Sequence, residues 1–217
     1  MLTSLLSLLL TLLPCGVRGV AVRVELTSRI AQLARETAGG ARSTAAQAAA
    51  IEEAVQSLEK TQLTQALDPA AACGVWSQLY CDNPAAGTVA GDGRSSRRQL
   101  IGPISGRVTQ RVLANASGGM PSRYEQRATA GKGLLEARLE ATIVQTPYAG
   151  AGPLVWTVAF ETFAWRWLGV PLRSRRLPPG RGGEWRTTYL DDEWRVMRAG
   201  SMRGDGVESL YVLRRLS

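Results

Sequence analysis

The chain has 217 residues, a formal net charge of +8 and 45% hydrophobic residues. That is enough for one domain of about 100 to 200 residues with a real core, and too apolar for disorder throughout. Histidine is absent, which excludes Ser-His-Asp and Cys-His nucleophilic catalysis, the commonest general base and every histidine-based metal site.

The first 19 residues read MLTSLLSLLLTLLPCGVRG. The apolar run ends at Leu13, well short of the ~20 residues that span a bilayer, and small residues follow it. This predicts a signal-type leader over residues 1–21, cleaved after Gly19 or Ala21, with a mature domain over 22–217. The leader has no lysine or arginine ahead of its apolar run, and no long Ser/Arg-rich transit peptide follows.

Leu26, Ile30 and Leu33 recur at helical spacing, which predicts a helix over Val24 to Glu36 stopped by Gly39 and Gly40. Thr44-Ala45-Ala46-Gln47 matches a capping box, and Ile51, Val55 and Leu58 form the apolar stripe of a second helix with Glu52, Glu53 and Glu59 largely off it. Leu63 and Leu67 lead into a connector ended by Asp68-Pro69, so the helical part covers about residues 24–67.

From Gly74 onward the pattern changes to short β-prone runs separated by Gly, Pro and Asp. They lie at Val75–Tyr80, Arg98–Ile101, Arg107–Leu113, Arg123–Ala130, Leu134–Gln145, Val155–Trp165, Glu184–Leu190, Trp194–Arg198 and Ser209–Arg214. Regular short strands with turn signals between them predict a sandwich or an up-and-down barrel over about residues 74–216. Asp191-Asp192 is placed as a tight hairpin. Ala85–Ser96 and Pro171–Gly183 are expected as longer loops, the second carrying Arg173, Arg175, Arg176 and Arg181.

Gly74-Val75-Trp76 opens this strand series and Arg214-Arg215 closes it. A Gly-x-Trp at this location in lipocalin-like barrels packs its indole across the barrel floor beneath an arginine from the last strand. The tripeptide by itself is weak, and chance remains an equal reading. In Val155–Trp165, alternation places Trp156, Val158 and Phe160 on one face and Phe163 and Trp165 on the other. Either both faces are covered by core packing, or one lines an apolar cavity.

Other features carry less. Asp191, Asp192 and Glu193 read as turn formers rather than metal ligands, and no acidic run nearby completes an oxygen cage. Cys15, Cys73 and Cys81 are too few and scattered for a zinc site or a disulfide framework. Cys73 and Cys81 are either two small buried side chains or, in an oxidising compartment, a pair. The glycine-rich stretches lack the lysine and the strand-loop-helix setting of a phosphate loop. Asn115-Ala116-Ser117 is a glycosylation sequon that matters only on the secretory route. The positive charge is nearly all arginine, which suits anionic lipid or nucleic acid, or reflects coding bias.

Three stretches together resemble the plastid lipid-associated protein family, the plastoglobulins or fibrillins. They are Ala50–Glu59, then Gly74–Tyr80 with Gly102–Gln110, and most specifically Thr187-Thr188-Tyr189-Leu190-Asp191-Asp192-Glu193-Trp194-Arg195-Val196-Met197-Arg198 with Leu210–Arg215. The likeness spans roughly Glu25 to Arg215, and residues 112–150 agree only in spacing. The resemblance implies an α+β, mainly β fold: a lipocalin-like antiparallel β-barrel preceded by two N-terminal helices. It further implies a protein that binds or organises acyl lipids, prenylquinones or carotenoids in a plastid, at plastoglobules or thylakoids of the chloroplast. A signal-type leader suits entry through the endomembrane system.

The expectation is a non-enzymatic protein with no cofactor and no metal, whose partners are an apolar lipid or pigment and a membrane or lipid-droplet surface, with no nucleic acid and no obligate protein partner. The expected ligand-contacting residues are Trp76, Tyr80, Phe160, Tyr189, Arg195 and Tyr211. Against this stands a packing role in which Arg195, Arg198 and Arg215 seal the barrel and Tyr189 is a packed aromatic. Competing functions are a secreted lipocalin-like carrier, an acid-catalysed isomerase or hydrolase using Asp191 or Asp192, and a nucleic-acid binder with steep salt dependence.

Overall fold

The computed structural model describes residues 15–62, 65–82, 107–116, 119–145, 152–200 and 208–216. Two helices come first, α1 (Cys15–Glu36) and α2 (Ala45–Lys60). The strands that follow are β1 (Gly74–Cys81), β2 (Val108–Ala114), β3 (Pro121–Ala130), β4 (Leu135–Gln145), β5 (Leu154–Trp167), β6 (Val170–Arg176), β7 (Gly182–Leu190), β8 (Trp194–Gly200) and β9 (Glu208–Arg215). Neighbours pair antiparallel in the order β4-β3-β2-β1-β9-β8-β7-β5, and β5 returns to β4. Eight strands therefore close a barrel and β6 lies outside it, the expected lipocalin-like α+β architecture. The strand expected at Arg98–Ile101 and the loop at Ala85–Ser96 lie outside the described residues.

β5 is the organising strand. Along one edge Trp156–Trp167 pair with β4; along the other, Leu154–Ala159 pair with β7 and Thr162–Trp167 with β6. Val170–Arg176 is thus a strand, not the loop expected over Pro171–Gly183. Every residue of β6 is exposed, so no burial alternation marks it. An edge strand also tolerates the proline and arginines that argue against a central one.

The two-faced reading of β5 is also corrected. Glu140 pairs with Thr162 but Ala141 with Phe160, so Glu161 is an extra residue at a bulge. One inserted residue resets the period-two alternation. Phe163 packs in a cluster with Ala137 and Leu139 that Phe160 and Trp165 also join, and Phe160 packs against the main cluster around Trp156 and Val158 as well. The aromatics of β5 therefore share the concave face.

α2 starts at the predicted capping box, with Thr44 and Gln47 satisfying each other's backbone N–H. α1 begins at Cys15 instead of Val24; Val20, Val22 and Val24 are exposed, so no apolar stripe marks these first turns. Residues 1–14 of the expected leader lie outside the described residues. Both helices cover the outer face of β1 and β7–β9, where Ile30, Ile51, Val55 and Leu58 pack on Tyr80, Tyr189, Trp194, Val196 and Val212. Each such aliphatic side chain, fully buried, contributes about 1.5–3 kcal/mol.

The outer face of β3–β5 is different. Arg138 bridges Glu125 at 2.7 Å and Glu140 at 2.9 Å, Arg127 pairs with Glu125, and Thr162 donates to Glu140 at 2.8 Å. This charged ladder suits water, unlike the apolar outer band of a membrane-spanning barrel. Cys73 precedes β1 and Cys81 ends it, and the 8 residues of that extended strand hold them too far apart for a disulfide to join them.

Candidate functional site: the barrel interior

The floor is built as the Gly-x-Trp reading requires. Trp76 is fully buried and its indole N–H donates to Ala72 O at 2.9 Å. The Arg215 guanidinium lies 4.2 Å above the ring, a cation–π contact of about 0.5–2 kcal/mol. Arg215 also donates to Asp192 O at 2.8 Å, to Cys73 O at 2.9 Å and to Ala71 O. Gly74 holds φ at +133°, and a Cβ there would lie 2.6 Å from Arg215 Nη1, so the glycine makes room for the arginine that closes the floor.

Above the floor the interior is apolar and aromatic. Trp156 and Trp185 are cross-strand partners on β5 and β7. Trp185 meets Tyr124 edge-on at 4.8 Å and Phe160 at 6.1 Å. Met197, Tyr211 and Leu213 complete the wall from β8 and β9.

Within this apolar wall sits a buried cation. Arg195 is fully buried; its guanidinium stacks 4.5 Å from the Trp156 ring. Its Nε donates to Thr187 Oγ1 at 3.2 Å, and its Nη2 reaches the Met197 sulfur at 3.4 Å. Nη1 has no partner, and no ion pair to a carboxylate involves Arg195 among the described residues. Burial pushes its pKa down to about 10, with Arg215 adding to the depression, and Tyr124 and Cys73 opposing it. The group remains a cation at neutral pH. An uncompensated buried charge costs several kcal/mol, more than the roughly 2 kcal/mol available from stacking on Trp156.

Other polar atoms facing inward are also left over. Trp156 Nε1, both ends of the Gln110 amide and Gln78 Oε1 are buried without a hydrogen-bond partner. Gln110 is fully buried on β2 directly across from Trp76. Gln78 shares its cross-strand row with Leu213 and Arg195. Buried polar groups are ordinarily satisfied by protein or ordered water, and these inward atoms are the ones that the described residues leave open.

The expected ligand-contacting residues divide by location. Trp76, Phe160, Arg195 and Tyr211 pack in the interior. Tyr80 and Tyr189 lie outside the barrel wall beneath the helices, and Tyr189 donates its hydroxyl to Asp191 at 2.6 Å. The interior also uses Gln110, Tyr124, Trp156 and Trp185, which the sequence does not single out as ligand contacts. The grouping of Trp156 with Val158 and Phe160 is a usable signal for one of them. Gln110 has no sequence signal, because only the β1–β2 register puts it opposite Trp76.

Asp191 forms the expected hairpin: its Oδ1 accepts from the backbone N–H groups of Glu193 at 2.8 Å and Trp194 at 2.6 Å. Asp192 is exposed on the same turn. Among the described residues no acidic or cysteine cluster could hold a metal ion.

A second surface lies at the β5–β6 turn. Trp167, Leu168, Val170 and Leu172 are exposed there, and Leu134 from the neighbouring turn joins them; the Leu168 N–H donates to Leu134 O at 2.8 Å. Arg166 ties the turn by donating to Gly169 O at 2.8 Å, while Arg173, Arg175 and Arg176 stand exposed along β6.

No family model, curated protein or solved structure matches the chain.

Proposed function

We propose that this protein is a non-enzymatic lipid-binding protein whose barrel holds an apolar ligand while the β5–β6 tip rests on a membrane or lipid-droplet surface. The observation that carries the reading is the barrel interior, lined by aromatics and containing inward polar atoms that the chain leaves unpartnered. Small-molecule sites combine such an apolar lining with a few polar groups. The membrane part is supported by the tip, where exposed Trp167, Leu168, Val170 and Leu172 adjoin arginines. Interfacial tryptophan and aliphatic side chains enter the headgroup region while nearby cations attract anionic lipid.

The resemblance to plastid lipid-associated proteins adds the ligand classes, acyl lipids, prenylquinones or carotenoids, and the compartment, a plastoglobule or thylakoid surface. A role without turnover is supported by the absence of histidine and by the use of Asp191 in its own turn.

The test is to expose the purified chain to a total lipid and pigment extract, repurify it and identify what is retained by mass spectrometry, with flotation on lipid droplets alongside. A stoichiometric lipid or pigment supports the reading. Protein that neither retains a ligand nor floats would defeat it. A fluorescent fusion found outside plastids, with the exposed Asn115 glycosylated, would replace the plastid assignment by a secreted carrier.

A further inference from the structure

We propose that the ligand carries a carboxylate head, bound inside the barrel by Arg195 Nη1 and Trp156 Nε1, with its apolar tail running along Trp185 and Phe160 toward Phe163. This deepens the lipid-binding reading and rests on it.

Among the described residues Arg195 has no anionic partner. Its guanidinium is fully buried, stacked on Trp156 and bonded only to a hydroxyl and a thioether. Both unpartnered atoms of the stacked pair, Arg195 Nη1 and Trp156 Nε1, are donors. Two donors without acceptors on side chains in contact call for oxygen, and the cation beside them calls for negative charge. Ordered water would satisfy the hydrogen bonds and leave the charge. A ketone or quinone oxygen would do the same. A phosphate would need more donors than Arg195 Nη1 and Trp156 Nε1 supply, since the nearby Arg215 already spends its donors on the carbonyls of Ala71, Cys73 and Asp192. A carboxylate meets both requirements.

The tail direction follows from the packing. From Trp156 the apolar wall continues to Trp185, and Trp185 touches Phe160. Phe160 packs against both the main interior cluster and the one holding Phe163 and Leu139. Phe163 meets half-buried Trp165 edge-on at 5.4 Å, two residues before the exposed Trp167 at the tip. An acyl chain on this path points from the buried cation toward the surface proposed to rest on lipid.

The experiment compares binding of oleate and methyl oleate to the full chain by equilibrium dialysis at neutral pH. The ester keeps the tail and removes the charge. Oleate should bind 10- to 100-fold more tightly, roughly the worth of a charge-assisted hydrogen bond. Arg195→Met should abolish that preference, and Trp156→Phe, which keeps a ring and removes the donor, should narrow it several-fold. Equal binding of acid and ester to the wild type would overturn the carboxylate and leave the lipid reading standing. Failure of both probes to bind would overturn the two together. Should Arg195→Met not fold, the wild-type comparison and Trp156→Phe still decide.

Discussion

Arg198 on β8 reaches Glu52 on α2 at 2.8 Å and Glu59, about two turns further along the same helical face, at 3.3 Å. The contact joins a helix to a strand that lies more than a hundred residues away in the chain. Burial would raise the Glu52 pKa, but the hydrogen bond from Arg198 holds it below the usual value. Glu59 also accepts from Thr188 at 2.6 Å, so the clamp extends to β7. Arg198→Met is expected to destabilise the protein by about 1–2 kcal/mol, discounted for the partial exposure of Glu52. A double-mutant cycle with Glu59→Gln in urea checks it: additive effects would mean that the pair does not couple.

The buried Arg195 cation should behave in the opposite way. Replacing a buried ionic group by an apolar side chain of similar volume is often stabilising by about 1–4 kcal/mol. Arg195→Met is therefore expected to raise the Tm of the ligand-free protein, by about 2–4 °C per kcal/mol for a chain of this size. A lower Tm would show that the Trp156 stacking and the Thr187 bond outweigh desolvation.

Four tyrosines set the alkaline limit. Burial raises the pKa of Tyr80, Tyr124, Tyr189 and Tyr211, and for Tyr189 the bond to Asp191 adds to it. An acid held protonated in the fold contributes stability that is intact below its unfolded pKa, about 10 for tyrosine, and is lost as pH rises through the folded value. Arg195 works against this, gaining stability as pH rises above about 10, but it is one group against four. The phenolate absorbance of these four, read in a Tyr148→Phe background, should therefore stay nearly flat past pH 10 and rise together with the loss of far-UV dichroism. Gradual ionisation of these tyrosines in an intact fold would contradict their burial.

At the tip, Trp167→Ala with Leu168→Ser should abolish flotation with vesicles containing anionic lipid and shift Tm by no more than about 1 °C, because both side chains are already exposed. Raising the salt should weaken the wild type, since arginines near a charged surface act over about 10 Å at 0.1 M salt. Full flotation of the double variant would move the membrane contact elsewhere.

Gly182 stands where β6 gives way to β7 along β5. It holds φ at +141°, and a Cβ there would lie 1.8 Å from the carbonyl oxygen of Val158. Backbone cannot yield as a flexible side chain can. Gly182→Ala should cost on the order of 3 kcal/mol or more, read from the urea midpoint. A near-neutral result would mean that the edge of β5 tolerates an opening of the barrel.

Local rules account for what could be read along the chain. Thr44 and Gln47 announce a helix start because capping involves residues three apart, and Ile51, Val55 and Leu58 announce a buried face because helical spacing brings them together. Asp191 makes its turn with the next three residues. The strands from β1 to β9 are legible as alternation between turn signals. β6 escapes because an edge strand buries nothing, and the Glu161 bulge escapes because an inserted residue looks like any other until its partner strand is known.

The amino-acid order thus marks two helices followed by a series of short strands that Gly74-Val75-Trp76 opens and Arg214-Arg215 closes, while the return of β5 to β4 is what closes those strands into a barrel. Which aromatics share the interior, that Tyr80 and Tyr189 lie beneath helices, and that among the described residues Arg195 has no counter-ion and Trp156 Nε1 no partner are decided only when the strands take their register. Inward and outward are properties of a closed sheet, and one residue of register exchanges them. A charge is unpaired only with respect to neighbours that arrive from other strands.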